Sequence, residues 1–526
     1  MNPSQVNFST IDYVIFAVYM AILVFFGLWV SRTKNNVKKT SDDYFLARHS
    51  LTWWAIGTTL IASNISAEQF IGMSGSGFKS GIAVATYEWI SAIMLIIIAK
   101  WFLPVFISKK IYTMPQFLEQ RYDSRVRTSL AVFWLALYVF VNLTSVLYLG
   151  GLALKTVFGI PLEYAIYGLA IISAIYTIYG GLTAVAWTDV IQVTVLILGG
   201  LLTTILALNA ISGGHGPLTG FVQMMNQAPE KFHVILSKDN PEFTNLPGIR
   251  TILTGLWITG MSYWGCSQYI TQRALAAKSM QEAQRGLLFA GYLKILMPFI
   301  VVLPGIVAYV LKADITKADQ AYPWLVNTFI PVGIKGVTLA ALAGAIVSAL
   351  SSMVNATATI FTFDIYKRYI KKEATDQNMV FTGRLSSFAA ILIAVCIAPT
   401  LKNLDQAFQF IQEYTGFISP AIFALFFYGL FWKRATSNSV LIASAVSIPL
   451  SALLKYIFPQ LPFLDRIGVV FLIISAIIVV VSLIESRENH PGSIELTKKL
   501  FKTDMVFNSL SLGILILLCL IYYVFW

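Results

Sequence analysis

The chain has 526 residues, 57% of them hydrophobic and only 12% charged, about half the charged share of a soluble domain. That balance excludes a soluble enzyme or scaffold and describes a polytopic membrane protein. Its three cysteines, Cys266, Cys396 and Cys519, all lie in apolar runs and form no disulfide framework, and its net charge of +12 is distributed as a topology signal, developed below.

Apolar runs of roughly 18–25 residues, each long enough for the hydrocarbon core, begin near Ile11, Trp53, Ile82, Leu130, Ala165, Val190, Ile252, Leu287, Val337, Leu385, Phe408, Val440, Val469 and Met505. Fourteen transmembrane helices are predicted, which puts both termini on one side. The first run lacks a basic leader and a small-residue cleavage site, so it reads as a retained helix. The second carries Asn64, Glu68 and Gln69 at mid-length with glycines beyond. An acidic group near mid-bilayer costs about 2.5–3.5 kcal/mol even on a lenient scale. These residues are therefore expected to face a cavity or a partner, on a helix interrupted around Ser63–Ser66, as in secondary transporters.

The third span brings Tyr87, Glu88 and Ser91 together, and the fourth sets Tyr138, Asn142 and Ser145 on one face. The segment Ser212–Gly248 is the one sizeable loop. The seventh span is expected to break at Gly260–Gly265. Further polar groups lie at Lys294 on the eighth span, at Ser348, Ser352 and Asn355 on the ninth, and at Gln409, Gln412 and Glu413, beside Phe408, on the eleventh. Spans two to six (51–211) and seven to eleven (250–434) read as two five-helix repeats, with 435–526 as peripheral helices of one membrane transport domain. Five is odd, so the second repeat enters the membrane inverted. Matching breaks in inverted halves point to a midplane binding site.

Lys and Arg number twenty-four in one alternate set of loops and eleven in the other. The positive-inside rule places the richer set in the cytoplasm and both termini outside. The basic excess is thereby accounted for without a nucleic-acid partner. There is no zinc spacing, phosphate-binding glycine loop or nucleophile–base constellation, which argues against an ATP-driven pump and against an enzyme. No cytoplasmic loop is long enough for a signalling domain.

Lys294 and Glu88 are the sharpest pair. Each would tend to neutralise alone in low dielectric. Together they offer strong donors and acceptors without net charge, which suits a neutral polyhydroxylated ligand better than an anion. Met73, Tyr87, Phe408 and Tyr263 add the aromatic and apolar surface that a sugar ring uses as platform and lid.

Several long stretches, in order, resemble the sodium/solute symporter family. They are Asn64-Ile-Ser-Ala-Glu-Gln-Phe-Ile-Gly-Met-Ser-Gly-Ser-Gly77, Phe140–Gly151, Tyr179–Gln192, Gln272–Ser279 and Phe408–Gly416. The resemblance is strongest to its sodium/glucose cotransporter branch, near the bacterial galactose symporters. It implies an all-α fold with the 5+5 inverted-repeat core of the LeuT type, interrupted at spans 2 and 7. It implies a sugar shell of Gln69, Glu88, Ser91, Lys294 and Gln412 with Tyr263 stacked on the ring, an outer gate of Met73, Tyr87 and Phe408, and supports at Asn64, Tyr138, Asn142 and Trp264. It also implies a sodium site from the carbonyls of Ala62, Ile65 and Ala345 with the Ser348 hydroxyl, and Asp189 on the ion's exit path.

Two positions depart from that branch. Gly260 stands where a sugar-contacting asparagine is expected, and Ala349 where a second sodium-site serine is expected. The sequence thus predicts a plasma-membrane (inner-membrane) symporter, multi-pass, that imports a neutral hexose such as galactose or glucose with sodium as coupling ion. No other cofactor and no obligate protein partner are expected, and the bilayer is its surround. The alternative is a symporter of the same fold, driven by sodium or protons, for a polyol such as myo-inositol, a sialic acid or an amino acid.

Overall fold

The computed structural model describes residues 9–30, 45, 49–66, 68–180, 182–401 and 407–526. The basic loop Ser31–Ser50 lies largely outside these residues, as does Lys402. Among them the fold is helical throughout, with a single isolated bridge between Leu51 and Ala277. The helices used below are α1 (Thr10–Val30), α2 (Trp53–Asn64), α3 (Ser74–Ser80), α4 (Thr86–Ile97), α5 (Ser124–Lys155), α6 (Leu162–Gly180) and α7 (Leu182–Ile211). After the long loop come α8 (Gly255–Met261), α9 (Gln268–Leu275), α10 (Met280–Val301), α11 (Ile334–Ile360) and α12 (Asp376–Ile397). The last are α13 (Ala407–Thr415), α14 (Ser419–Phe431), α15 (Ser437–Ile457), α16 (Phe463–Glu485) and α17 (Met505–Val524).

All fourteen predicted span starts fall on helical backbone. Ten helical runs among the described residues are long and apolar enough to cross a membrane, and the remainder are shorter or interrupted. Their burial sorts them into layers. Across an apolar 18-residue stretch of each, the run Ile334–Ile370 is 94% buried, whereas α1 is 17% and α15 and α17 are 22% buried, so α11 is the central post and the others face outward. Several helices begin on side-chain caps that satisfy an otherwise orphaned amide. Asp123 accepts from Val126 N (3.1 Å), Ser279 from Glu282 N (3.3 Å), and Thr436 from Ser439 N (3.4 Å).

The register that sets the site comes from one close crossing. A Cβ on Gly57 of α2 would lie 2.8 Å from Gly286 O of α10, and one on Gly286 would lie 3.0 Å from Trp53 O. Small residues at such a crossing let the backbones touch. Asn64 and Lys294 then sit seven and eight residues further along, about 10–12 Å at 1.5 Å per residue. Both arrive well into the ~30 Å core.

The two expected interruptions are present. α2 stops at Asn64, Ile65 is extended (φ −77°, ψ 110°), and the chain re-enters through a π turn at Glu68–Met73 into α3. α8 runs into a π turn at Ser262–Cys266, and Ser267 is extended (φ −79°, ψ 128°) before α9. A single extended residue thus opens each break. It frees carbonyls that an intact helix would have paired.

Candidate functional site

The first break is closed by its own side chains. Ser66 N donates to Gln69 Oε1 (3.0 Å), as does the Ser66 hydroxyl (3.3 Å), and Glu68 N donates to Ser66 Oγ (3.2 Å). With Ser66 N turned to Gln69, the carbonyl of Ala62 is released from its helical partner. The second break is held by Tyr138 of α5, whose hydroxyl accepts from Gln268 N (2.8 Å) and shares a bond with Ser267 Oγ (3.0 Å). The sequence-derived role of Tyr138 as a support therefore has a specific content: it caps α9.

Between the breaks lies a cavity lined by Asn64, Glu68, Gln69, Tyr87, Glu88, Ser91, Thr259, Gly260, Tyr263, Trp264, Lys294, Phe408 and Gln412, with Leu256, Thr415, Phe463 and Leu464. All six expected sugar-shell residues are brought together there. Lys294 donates to Glu88 Oε2 (2.5 Å) and to Asn64 Oδ1, and its ammonium lies 4.9 Å from the Trp264 ring centre. Asn64 in turn donates to the Tyr263 hydroxyl (3.0 Å). The Ser91 hydroxyl donates to Tyr87 O (2.6 Å) and accepts from Trp264 Nε1 (2.9 Å), so it mainly orients Trp264 and keeps one lone pair for a ligand. Tyr87 and Phe408 meet edge to face (5.3 Å, 86°), and the buried Tyr87 hydroxyl has no partner among the described residues.

The free volume is about 80 Å³, well below the roughly 300 Å³ at which small-molecule sites begin. The walls are drawn in, and a ring-sized ligand requires them to part.

Other expected residues lie elsewhere. Met73 is fully buried and does not line the cavity. Asn142 is half-buried outside it, its Oδ1 unpartnered among the described residues. Glu413, read from sequence with the inward-facing polar groups, pairs outside the cavity with Arg466 and with Lys455 (3.1 Å). Of the expected ion-site residues, Ala62 and Ser348 approach each other across α2 and α11. Ser348 Oγ is 3.5 Å from Ala62 O and donates to Asp189, while Ala345 is buried on the same helix. Asp189 is also 3.3 Å from Arg273, which donates to Ser352, and Ser352 donates to Ser348 O (2.8 Å). Asp189, which the resemblance sets on the ion's exit path, touches the Ser348 hydroxyl directly and forms a buried pair with Arg273.

Comparison with known proteins decides the family. The model of the sodium:solute symporter family matches residues 44–446. A sodium/glucose cotransporter from Vibrio parahaemolyticus is 51% identical over the full length of both chains. Sodium/glucose cotransporter 1 of Ovis aries is 32% identical over 80% of this chain and 68% of its own, and sodium/myo-inositol cotransporter 2 of Mus musculus is 32% identical over 82% and 67%. The chain belongs to the sodium:solute symporter family. It is a multi-pass membrane transporter and not an enzyme. The fold is that of a solved sodium-coupled sialic acid symporter in a substrate-bound outward-open state, with a TM-score of 0.79 at 23% identity over 91% of this chain and 98% of that one.

The two departures now have surroundings in this symporter. A Cβ on Gly260 would lie 2.1 Å from Met94 Sδ and 2.6 Å from its Cε, and Met94 is wholly buried. Met94 occupies the space that an asparagine side chain would need. Ala349 is buried on α11 beside Ser348.

Several cavity residues escaped the sequence reading. Thr259 and Thr415 carry only a hydroxyl and give no pattern. Phe463 and Leu464 come from α16, assigned to the periphery. That helix start is drawn in because Gly255 lets it approach: a Cβ there would be 2.3 Å from Leu464 O. Arg250 fixes it through Asp465 (2.8 Å).

Proposed function

We propose that this protein is a sodium-coupled symporter that imports a neutral hexose, such as galactose or glucose, across the plasma membrane by alternating access. The observation that carries the reading is the Lys294–Glu88–Asn64 cluster, a charge-compensated set of donors and acceptors opening into an aromatic-walled cavity between the two helix breaks. The full-length likeness to a protein named for sodium and glucose supports it. In this reading Gln69, Glu88, Lys294 and Gln412 hydrogen-bond the sugar, Ser91 contributes one acceptor, and Tyr263 stacks on the ring. Tyr87 and Phe408, backed by Met73, close the outer side. Asn64, Tyr138, Asn142 and Trp264 hold these groups in place.

Sodium would bind at Ala62, Ile65, Ala345 and Ser348, steadying the outward-open form, with Asp189 receiving it on the way in. The break at Ile65 belongs to both sites, since its carbonyls face the ion while Gln69, which caps it, faces the sugar. That shared segment is a physical route for coupling. One monovalent cation crossing about 100 mV contributes about 2.3 kcal/mol. This supports roughly fiftyfold accumulation of a neutral solute. The repeats 51–211 and 250–434, the peripheral 435–526 and extracytoplasmic termini belong to the same proposal. The extended residues at matching places in the two repeats support the first part, and the loop distribution of Lys and Arg supports the last.

Likeness to a myo-inositol cotransporter keeps a cyclic polyol as the second reading. The test is uptake of radiolabelled glucose and galactose into proteoliposomes under an imposed sodium gradient, a proton gradient, or neither, with myo-inositol as competitor. Sodium-driven hexose uptake is expected. Uptake driven by protons alone, or inhibited by myo-inositol and not by hexoses, would overturn the ion or the substrate respectively.

A further inference from the structure

Glu68 is unused in the site just described. Its side chain lines the cavity beside Gln69, Glu88 and Lys294. Glu88 is matched by Lys294 at 2.5 Å, and Lys294 spends a second donor on Asn64. No ion pair or side-chain hydrogen bond compensates the Glu68 carboxylate among the described residues; its backbone amide donates to Ser66 Oγ (3.2 Å). The carboxylates and amines among the described residues lining the cavity are therefore two carboxylates, Glu68 and Glu88, and one ammonium, Lys294.

The remaining walls are the rings of Tyr87, Tyr263, Trp264 and Phe408. Aromatic faces attract a desolvated cation, as the Lys294 ammonium over Trp264 at 4.9 Å already illustrates. A carboxylate at this depth is neutralised by a proton or by a cation brought to it. The cavity sets the hydroxyl-binding groups for a pyranose within the same walls as Glu68.

We propose that Glu68 is a specificity-determining residue that lets the site accept a cationic amino sugar, a hexose bearing one protonated amine, in addition to the neutral hexose. The inference rests on the hexose reading. The ammonium donates to the Glu68 carboxylate while the ring keeps the Glu88–Lys294 contacts. Charge-assisted hydrogen bonds of this kind are the strong ones.

The experiment measures inhibition of radiolabelled glucose uptake in proteoliposomes by glucosamine, 2-deoxyglucose and N-acetylglucosamine, with direct uptake of labelled glucosamine. It uses the native protein, Glu68→Gln and Glu68→Asp, below and above the pH at which the free amine loses its proton. In the native protein, protonated glucosamine should compete better than 2-deoxyglucose and N-acetylglucosamine, and should lose that advantage when deprotonated. The glucosamine-to-glucose affinity ratio should fall about tenfold or more in Glu68→Gln and persist in Glu68→Asp.

Glucose uptake without glucosamine competition would overturn the inference and leave the hexose reading standing, and absence of any hexose uptake would overturn both. An unchanged ratio in Glu68→Gln with a raised sodium requirement would assign Glu68 to the ion and overturn the inference. Should Glu68→Gln fail to fold, the native comparison decides: glucosamine weaker than 2-deoxyglucose refutes it.

Discussion

Replacing Gly260 with asparagine tests whether substrate preference here is set by a glycine and its methionine neighbour. The new Cβ would fall 2.1 Å from Met94 Sδ. Because Met94 is wholly buried, its thioether has no solvent to swing into, and overpacking of this kind costs about 1–3 kcal/mol. Met94→Ala alone leaves a hole and costs about 2–5 kcal/mol. In the double variant the asparagine fills the space vacated by the thioether. The two changes should then couple favourably by about 1–3 kcal/mol, within the range for residues in contact. Thermal unfolding of the four proteins in detergent gives the stability cycle, and competition of galactose against glucose for uptake gives preference. The native protein should take the two sugars within about tenfold of each other, or about 1.4 kcal/mol, since glycine reads no hydroxyl. The double variant should discriminate more strongly, because a site with a hydrogen-bonding side chain rejects the epimer that leaves it unpaired. Strict additivity in stability, or a hundredfold galactose preference in the native protein, would refute the reasoning.

Lys294→Ala should abolish or severely weaken sugar uptake at near-normal expression, because it strands Glu88 and Asn64, at about 1–3 kcal/mol per unpaired group and more for a charge; uptake at native affinity would make the pair purely structural. Tyr263→Ala should weaken sugar affinity and also free Asn64, and unchanged affinity for the best sugar would place the stacking platform elsewhere. Ala349→Ser should lower the sodium concentration for half-maximal uptake with little change in sugar affinity at saturating sodium, since it adds an oxygen beside Ser348 for a hard cation; an unmoved sodium dependence would refute the ion site. Asp504 caps α17 through Phe507 N (2.7 Å) and bonds Arg285 (2.8 Å), and these contacts hold its carboxyl below the usual range. A lowered folded value stabilises the protein above the unfolded one and is lost as pH falls through the folded one. Asp504→Ala should therefore cost about 1 kcal/mol near neutrality, with the deficit closing in acid. A pH-independent deficit in thermal unfolding would contradict this.

Much was legible in the sequence because a bilayer leaves so little freedom. Backbone polar groups must be satisfied internally, so apolar runs become helices. A Glu, Gln and Asn in one apolar run has to face something polar, so a break around Ser63–Ser66 was foreseeable, as were one at Gly260–Gly265 from its glycines and a Lys294–Glu88 pair; the extended residues fall at Ile65 and Ser267. The family likeness, carried by long local motifs, names six residues that the fold brings to one cavity. What the sequence could not convey depended on contacts between elements with no local signature. Only packing shows that Met94 fills the space beside Gly260, that Arg273 and Ser348 converge on Asp189, and that Phe463 and Leu464 enter the cavity from a helix read as peripheral. Only packing shows that Ser91 spends its hydroxyl on Tyr87 and Trp264. The same holds for charge: the sequence suggests the Lys294–Glu88 pair, and only the fold shows that Glu68 lines the same cavity with no partner for its carboxylate among the described residues. Periodicity and polarity along a helix fix which face turns inward, but which partner meets it is set by crossings as narrow as Gly57 on Gly286, where a single methyl group would change the register.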